Sequence, residues 1–177
     1  MFGEPGRGDR IARMIGIPLL LLFIAITAVF YVLFAHLAVE GDSMLPTLRD
    51  ADRVLITKGY DDPRAGDIVV VKVRSRHTGE LRDFIKRVVA VEGDTVRVDR
   101  GVAYINGVRE ADAYDFLTGE DDVSTPELVV PEDHVYVLGD NRPISFDSRF
   151  YGPVPLSATT GRIVAIYAPI GRIGTVD

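Results

Sequence analysis

The sequence contains no cysteine, which excludes disulfide bonds and catalysis by a cysteine nucleophile. Histidine is scarce, and the three histidines lack the spacing of zinc ligands, so we expect no metal site. Basic residues are not in excess, because 20 lysines and arginines stand against 26 aspartates and glutamates. A nucleic-acid-binding protein usually presents a basic face, so the net charge of -6 argues against nucleic acid as a partner.

Long apolar runs are equally scarce, and a single one, Met14 to Ala35, has the length of a membrane span. As a helix it would measure about 33 Å, against a hydrocarbon core of about 30 Å. A removed export signal would have a shorter apolar core and a small residue where His36 stands. A buried core helix would show a polar face, and this run has none. We therefore expect a transmembrane anchor over residues 14–38.

Three arginines, Arg7, Arg10 and Arg13, precede the expected anchor. Because basic residues remain on the cytoplasmic side of a membrane, we expect residues 1–13 to form a cytoplasmic tail. Residues 39–177 then form a domain on the outer side of the membrane, and the lipid bilayer is a partner of the single-pass anchor.

The outer domain is expected to be mainly β. Short β-branched runs alternate with turns rich in glycine, proline, asparagine and aspartate, and this pattern predicts folded sheets or a barrel. The predicted strands are residues 54–57, 67–73, 83–91, 95–98, 102–105, 127–130, 134–138 and 161–167. Residues 110–126 are acidic and irregular and are interpreted as a surface excursion, with calcium binding by residues 120–122 as the less favoured alternative.

Lys86 lies inside an apolar run in a predicted strand. Alternation along the strand places Phe84, Lys86, Val88 and Ala90 on one face and Ile85, Arg87, Val89 and Val91 on the other. If the first face is buried, the lysine amine loses its solvation and its pKa falls, so that it can accept a proton from a serine hydroxyl. The neighbouring guanidinium cannot do this because it keeps its charge. The alternative is a lysine that reaches solvent at the sheet edge.

Ser43 lies in a turn-forming segment, Gly41 to Leu48, eight residues after the apolar run. A hydroxyl beside a neutral amine is the reactive pair of a Ser/Lys hydrolase. The alternative role of this serine is that of a helix N-cap or turn residue. In a third, polar segment, Asp147 and Arg149 are candidates for an ion pair, and the Ser145 hydroxyl is a candidate for orienting the amine.

The three segments together resemble the type I signal peptidases, a family of membrane-bound Ser/Lys proteases. The resemblance rests on Ser43-Met44-Leu45-Pro46-Thr47-Leu48, on Lys86-Arg87-Val88, and on a Gly-Asp-Asn-x-x-x-Ser-x-Asp-Ser-Arg pattern from Gly139 to Arg149. It implies a largely antiparallel β catalytic domain with a small β excursion, here at about residues 100–130. It also implies peptide-bond hydrolysis through an acyl-enzyme, without a metal or other cofactor.

The resemblance also implies roles for individual residues. Ser43 would be the nucleophile and Lys86 the general base, with Ser145, Asp147 and Arg149 as supporting residues. The substrate-binding residues would be Met44, Leu48, Asp83, Phe84 and Ile85, which would accept the small residues that precede the scissile bond of a preprotein signal peptide. Gly41 stands where some members carry a serine whose hydroxyl stabilises the oxyanion, so the second oxyanion donor is left open.

Two other functions remain open on the residues alone. The first is a membrane-anchored β module that binds export substrates without cleaving them. The second is a self-cleaving, repressor-type Ser/Lys protease, a class that needs no anchor and usually carries a DNA-binding part. The retained serine and lysine disfavour the first alternative, and the apolar anchor disfavours the second.

Overall fold

The computed structural model describes residues 7–74, 79–110, 116–119 and 123–176. The first six residues of the predicted tail and the acidic residues 120–122 lie outside this described part. The chain divides near residue 34 into two compact units. The first unit holds helix α1, Arg7–Leu33. Within the described part, α1 is the one helix that is long and apolar enough to cross a membrane, over residues 14–33, and its large apolar side chains are exposed.

The helix ends five residues before the predicted end of the anchor. Residues Phe34–Ala38 form strand β1 instead and lie beside strand β2, Arg53–Thr57. Because side chains alternate along a strand, Ala35 and Leu37 point to one face, and both pack against the core of the second unit. Burial of these two side chains favours the extended conformation over a further turn of helix.

Strands dominate the second unit, as predicted. After β1 and β2 come β3 (Ile68–Arg74), β4 (Leu81–Val91), β5 (Thr95–Asp99), β6 (Val102–Ile105), β7 (Val108–Arg109), β8 (Thr125–Val129), β9 (His134–Leu138), β10 (Val154–Pro155), β11 (Thr159–Ala168) and β12 (Gly174–Thr175). The helical segments described after α1 are a one-turn helix α2, Ser148–Tyr151, and 3-10 turns at Leu156–Ala158 and Ile170–Arg172. Each predicted strand overlaps an observed one, which confirms the mainly β class.

The strands form two sheets. The large sheet has the order β1-β2-β11-β3-β4-β9-β10, with β12 beside β11, and the small sheet has the order β7-β6-β5-β8. The pairs described from β2 onward are antiparallel. The small sheet occupies the place of the expected excursion and begins earlier along the chain, at Thr95. Three apolar clusters fill the interior: one under β2 and β11, one below the small sheet, and one between β3 and β9.

A bulge in β4 changes the faces predicted for its last residues. The register with β9 shifts between Val88 and Ala90, which makes Val89 an extra residue in a β-bulge. Beyond the bulge, Ala90 joins Val89 in the cluster below the small sheet. Val91 packs instead against the cluster that contains Val88. The face predicted for Ala90 and Val91 is therefore wrong, because one inserted residue reverses the alternation.

One residue of the expected surface excursion belongs to the interior. Glu110 is 4% exposed, and its carboxylate accepts hydrogen bonds from the Ala103 N–H over 2.7 Å and from the Arg142 guanidinium over 2.6 and 2.8 Å. A carboxylate can be buried when its charge and its lone pairs are matched in this way. The ion pair joins the small sheet to the loop after β9.

Candidate active site

The segment Gly41–Leu48, called the serine turn below, lies between β1 and β2. The Leu48 N–H donates to the Met44 carbonyl over 2.9 Å, and both side chains are buried in the cluster under β2 and β11. The Asn141 N–H donates to the Ser43 carbonyl over 3.0 Å. Apolar packing and the loop after β9 therefore hold the turn through Met44, Leu48 and the Ser43 carbonyl. The Ser43 side chain faces β4.

Lys86 lies on β4 and is buried, with 1% of its surface exposed. Its Nζ donates to the Ser43 Oγ over 2.9 Å and to the Ile85 carbonyl over 2.8 Å. Desolvation lowers the pKa of this amine to about 8, against the opposing effect of the Asp147 and Asp140 carboxylates. The fold thus brings together the two groups singled out in the sequence, and it makes the amine a far better base at neutral pH than a solvated lysine.

The Phe84 ring contributes to this desolvation. Its centroid lies 5.7 Å from the Lys86 Nζ. Behind it, Phe146 contacts Phe84 edge-on at 6.3 Å between centroids, and Tyr151 packs against Phe146 at 5.3 Å. An aromatic wall therefore separates the amine from solvent on this side.

Ser145 is close to the pair and is not bonded to the lysine. Its Oγ is buried and has no hydrogen-bond partner among the described residues, so the expected bond to the Lys86 amine is absent from this structure. The hydroxyl lies against Gly139, where an added Cβ would come within 2.1 Å of the Ser145 Oγ and 2.6 Å of the Ser43 carbonyl oxygen. Only glycine permits this approach of the third segment to the serine turn.

Asp147 and Arg149 form the expected ion pair. The guanidinium donates to the two carboxylate oxygens over 2.8 and 2.9 Å, and both side chains are buried. The same carboxylate caps α2 and accepts from the Gly139 N–H over 3.1 Å. The guanidinium also donates to the Ser145 carbonyl over 3.2 Å. The hydrogen bonds of the pair go to the backbone around the site, and its two charges act on the pKa of Lys86 in opposite directions.

Besides the pair of Glu110 and Arg142, the sequence reasoning missed another buried ion pair. Arg87 donates to the two carboxylate oxygens of Asp140 over 2.9 and 2.8 Å, and neither side chain is exposed. Thr47 completes the group, since its hydroxyl donates to Asp140 over 2.6 Å. Thr47, Arg87 and Asp140 each come from a different one of the three segments that carry the family resemblance. The available signal was an arginine in an apolar strand, which needs a buried partner.

A further pair, also missed, lies beneath the serine turn. Arg172 donates to the Asp52 carboxylate over 2.9 and 3.1 Å from Nε and over 2.9 Å from Nη2. No local pattern in the sequence indicates this partnership, because 120 residues separate the two.

An open cleft of about 210 Å³ leads to the serine and the lysine. It is lined by Leu37, Ala38, Val39, Glu40, Gly41, Ser43, Met44, Asp83, Phe84, Ile85 and Lys86. Four of the five predicted substrate-binding residues, Met44, Asp83, Phe84 and Ile85, therefore lie at the cleft. Leu48 is completely buried in the core and does not line it.

One wall of the cleft is a strand edge. Residues 81–86 of β4 pair with β3 on one side, whereas pairing with β9 on the other side starts only at Arg87. The backbone of residues 83–86 therefore offers hydrogen-bond donors and acceptors along the cleft, as an extended peptide requires. Across the described part of the chain, no group of three or more acidic or histidine side chains is arranged to hold a metal ion.

Comparison with known proteins adds independent information. A family model described as signal peptidase, peptidase S26, matches residues 11–168. A probable thylakoidal processing peptidase 2 of Arabidopsis thaliana is 38% identical over 146 residues, which cover 78% of this chain and 39% of that protein. A signal peptidase I of Leptolyngbya laminosa is 36% identical over 143 residues, which cover 77% of this chain and 70% of that protein.

A further relative and a solved structure also match. A signal peptidase IB of Staphylococcus aureus is 30% identical over 173 residues, which cover 84% of this chain and 89% of that protein. The crystal structure of a signal peptidase I from Enterococcus faecalis is 28% identical and covers 59% of this chain and 98% of that chain, with a TM-score of 0.45.

Proposed function

The chain belongs to the signal peptidase family, peptidase S26, a family of serine endopeptidases that cleave signal peptides, and we propose that its own catalytic pair is Ser43 and Lys86. The observation that carries the proposal is the 2.9 Å contact between the Lys86 Nζ and the Ser43 Oγ, made by an amine that is 1% exposed. A buried amine of lowered pKa beside a hydroxyl at the end of a cleft is the arrangement that acyl transfer by a Ser/Lys pair requires.

Acylation follows from this geometry. The neutral Lys86 amine accepts the Ser43 proton while the serine oxygen attacks the scissile carbonyl carbon and forms a tetrahedral intermediate. The intermediate collapses when the carbon–nitrogen bond breaks, and the Lys86 ammonium gives its proton to the leaving amine. The products are a free new N-terminus and an ester between Ser43 and the signal peptide, and the lysine is neutral again.

Deacylation uses the same base. A water molecule takes the place of the departed amine and loses a proton to Lys86 as it attacks the ester carbonyl. Collapse of the second intermediate returns the proton to the Ser43 oxygen and releases the signal peptide as a carboxylic acid. Aromatic shielding of the amine favours both steps, since solvation would return its pKa to the range where it stays protonated.

The oxyanion is expected to bind at the serine turn. No hydrogen bond among the described residues uses the backbone N–H of Ser43, so this donor is available to a developing negative charge. The Gly41 N–H donates to an Asp50 carboxylate oxygen over 2.8 Å and is therefore engaged elsewhere. Gly41 also has no side-chain hydroxyl, so it provides no second donor in this conformation.

The substrate is proposed to be the signal peptide of an exported preprotein, bound as an added strand along residues 83–86. The carboxylate of Asp83 stands at the entrance and is 46% exposed, and its oxygen lies 3.9 Å from the Lys72 amine. Deeper in the cleft, Met44, Phe84 and Ile85 leave an apolar space of modest volume. Small side chains such as alanine are expected before the scissile bond, as the family resemblance implies.

The site is proposed to act at the outer face of a bacterial cytoplasmic membrane. The apolar part of α1 has the length of a membrane span. The arginines at positions 7, 10 and 13 favour a cytoplasmic N-terminus, which places residues 39–177 outside. Protease added to intact spheroplasts should then digest the catalytic domain, and protection of that domain would contradict the orientation.

The cleavage test uses the purified full chain in detergent and a preprotein with alanine before the scissile bond. Ser43→Ala and Lys86→Ala should each abolish cleavage, whereas Ser157→Ala and Lys72→Ala, which remove the same groups elsewhere, should retain it. Cleavage that persists in either site variant would refute the pair. Binding without cleavage by the unmodified chain, across pH 7 to 10, would favour a non-enzymatic module. A phenylalanine before the scissile bond should block the reaction, and an unchanged rate would overturn the assignment of the cleft.

A further inference from the structure

The residues that follow β11 reach back to the serine turn. This C-terminal segment, residues 169–176, contains a 3-10 turn, Ile170–Arg172, and strand β12 beside β11. The family match ends at residue 168, just before it. The segment nevertheless contributes contacts to the underside of the turn that carries Ser43.

Arg172 makes the polar contacts. Its Nη2 donates to the Thr47 carbonyl over 2.9 Å, so it bonds directly to the backbone of the serine turn. Its guanidinium also holds Asp52, whose carboxylate accepts the Arg49 N–H over 2.9 Å. The carboxylate side chain is 2% exposed and the guanidinium 23%. The arginine therefore fixes the chain both within the turn and just after it.

Val176 contributes apolar packing. It is 8% exposed and belongs to the same core cluster as Met44 and Leu48, the two buried side chains of the serine turn. The segment is thus linked to the turn by a charged hydrogen bond and by its place in the same apolar core.

Thr47 shows how these contacts act on the site. Its hydroxyl donates to Asp140 in the third segment, and its carbonyl accepts from Arg172. The other end of the turn is held through the Ser43 carbonyl, which accepts from Asn141. Removing Arg172 would take away one of the bonds at the Thr47 end and leave the bond at the Ser43 carbonyl in place, so the turn would be able to shift without unfolding.

We propose that Arg172 is a positioning residue, which holds the serine turn in the position where the Ser43 hydroxyl meets the Lys86 amine. This inference rests on the proposed function. It assigns a part in the reaction to a segment outside the family match. Arg172 does not touch the substrate or the reacting atoms, and it acts through the Thr47 carbonyl and the Asp52 carboxylate.

The kinetic test compares Arg172→Ala and Arg172→Lys with the unmodified chain on the alanine-containing preprotein. Arg172→Ala should lower kcat by about 10- to 100-fold, the scale expected when a reacting group is displaced by about 1 Å. KM should change less than kcat, because the β4 edge that would pair with the peptide backbone stays in place. The pH midpoint should also stay the same, because the surroundings of Lys86 are unchanged. Lysine retains a donor and a positive charge, so Arg172→Lys should recover most of the rate.

A double variant separates positioning from stability. Arg172→Ala leaves the buried Asp52 carboxylate without its partner, which lowers the unfolding temperature. Adding Asp52→Asn removes that charge and should restore the unfolding temperature, but it does not replace the bond to Thr47. The double variant should therefore remain slow. Val98→Ala, which removes two buried methyl groups in the core below the small sheet, is the matched control: it should lower the unfolding temperature and keep kcat.

Hydrogen exchange gives a readout that does not depend on cleavage. The Leu48 N–H is bonded within the serine turn, and it should exchange faster in Arg172→Ala than in Val98→Ala at equal stability. Unchanged exchange, or a kcat that returns together with the unfolding temperature in the double variant, would overturn the proposal. Failure of the unmodified chain to cleave would refute the proposed function, and the exchange measurement would still decide whether Arg172 fixes the turn. If Arg172→Ala does not fold, Arg172→Gln replaces it in both measurements.

Discussion

The guanidinium of Arg87 and the carboxylate of Asp140 face each other through two hydrogen bonds of 2.9 and 2.8 Å, and neither side chain is exposed. The pair joins the strand that carries the lysine to the loop that approaches the serine. The role of the pair is this connection, because a buried ion pair by itself adds little to the free energy of unfolding compared with well-packed apolar residues.

Breaking the pair from one side should therefore be costly. Arg87→Met leaves the Asp140 carboxylate buried and unpaired, and it should lower the free energy of unfolding by about 3–5 kcal/mol in urea titrations. Arg87→Met combined with Asp140→Leu should recover much of that loss. The exposed pair of Arg64 and Asp62 is the control, and Arg64→Ala should leave stability unchanged. A single variant as stable as the unmodified chain would contradict the role of the pair.

The pH dependence of cleavage should report the Lys86 amine. Only the neutral amine accepts a proton, and its pKa is about 8. The apparent kcat/KM should rise about tenfold per pH unit below that value and level off above it. A midpoint near the ordinary lysine value of 10.5 would show that the amine is solvated in the working enzyme.

The same amine should make stability depend on pH. Its pKa is about 8 in the folded chain and 10.5 in the ordinary solvated state, so between these values the unfolded chain binds one more proton. The free energy of unfolding should therefore rise with pH across this window, by up to about 3 kcal/mol for this one group. Lys86→Met should remove this part of the rise. Equal slopes for the two proteins in urea titrations from pH 8 to 10.5 would contradict the lowered pKa.

Phe84 should influence the basicity of Lys86. Its ring centroid lies 5.7 Å from the amine, and Phe84→Ala would admit water to that side. The midpoint of the pH–rate profile should then move upward from about 8 toward the solvated value. Tyr104→Ala is the control, since this ring lies under Arg97 in the small sheet and the midpoint should not move. An unchanged midpoint in Phe84→Ala would show that burial by other groups sets the pKa.

Gly139 should not tolerate a side chain. An added Cβ would come within 2.6 Å of the Ser43 carbonyl oxygen and 2.1 Å of the Ser145 Oγ. Gly139→Ala should therefore displace the serine turn, lower stability by about 1–3 kcal/mol and reduce kcat more than KM. Gly174→Ala, where no atom lies within 4 Å of the new Cβ, should behave like the unmodified chain. A fully active Gly139→Ala would show that the loop after β9 can move away without consequence.

The strands and the proposed catalytic pair were predictable from the sequence for different reasons. β-branched runs bounded by turn residues predicted the strands, because such side chains pack well on the surface of a sheet. Ser43 and Lys86 were predictable because both stand in segments that resemble a known family. The observed distance between their side chains agrees with that interpretation.

What the sequence did not predict depends on contacts between distant residues. A motif does not show whether a residue lines the cleft or packs in the core behind it. Leu48 was therefore placed at the cleft, although it is completely buried. The bulge at Val89 follows from pairing with β9, and no local pattern indicates it. The charged partners of Arg142 and Arg172 lie 32 and 120 residues away along the chain. The residues next to an arginine in the sequence do not indicate which distant carboxylate it will pair with.

The burial of Lys86 makes the proposed catalysis conditional on complete folding. With a pKa of 10.5 instead of about 8, an amine carries about 300-fold less of its neutral form at neutral pH. A nascent or half-threaded polypeptide therefore has an ordinary, positively charged lysine and a serine without activation. The proposed catalytic pair is therefore assembled only when the sheets close around the lysine, and cleavage is expected from the folded chain alone.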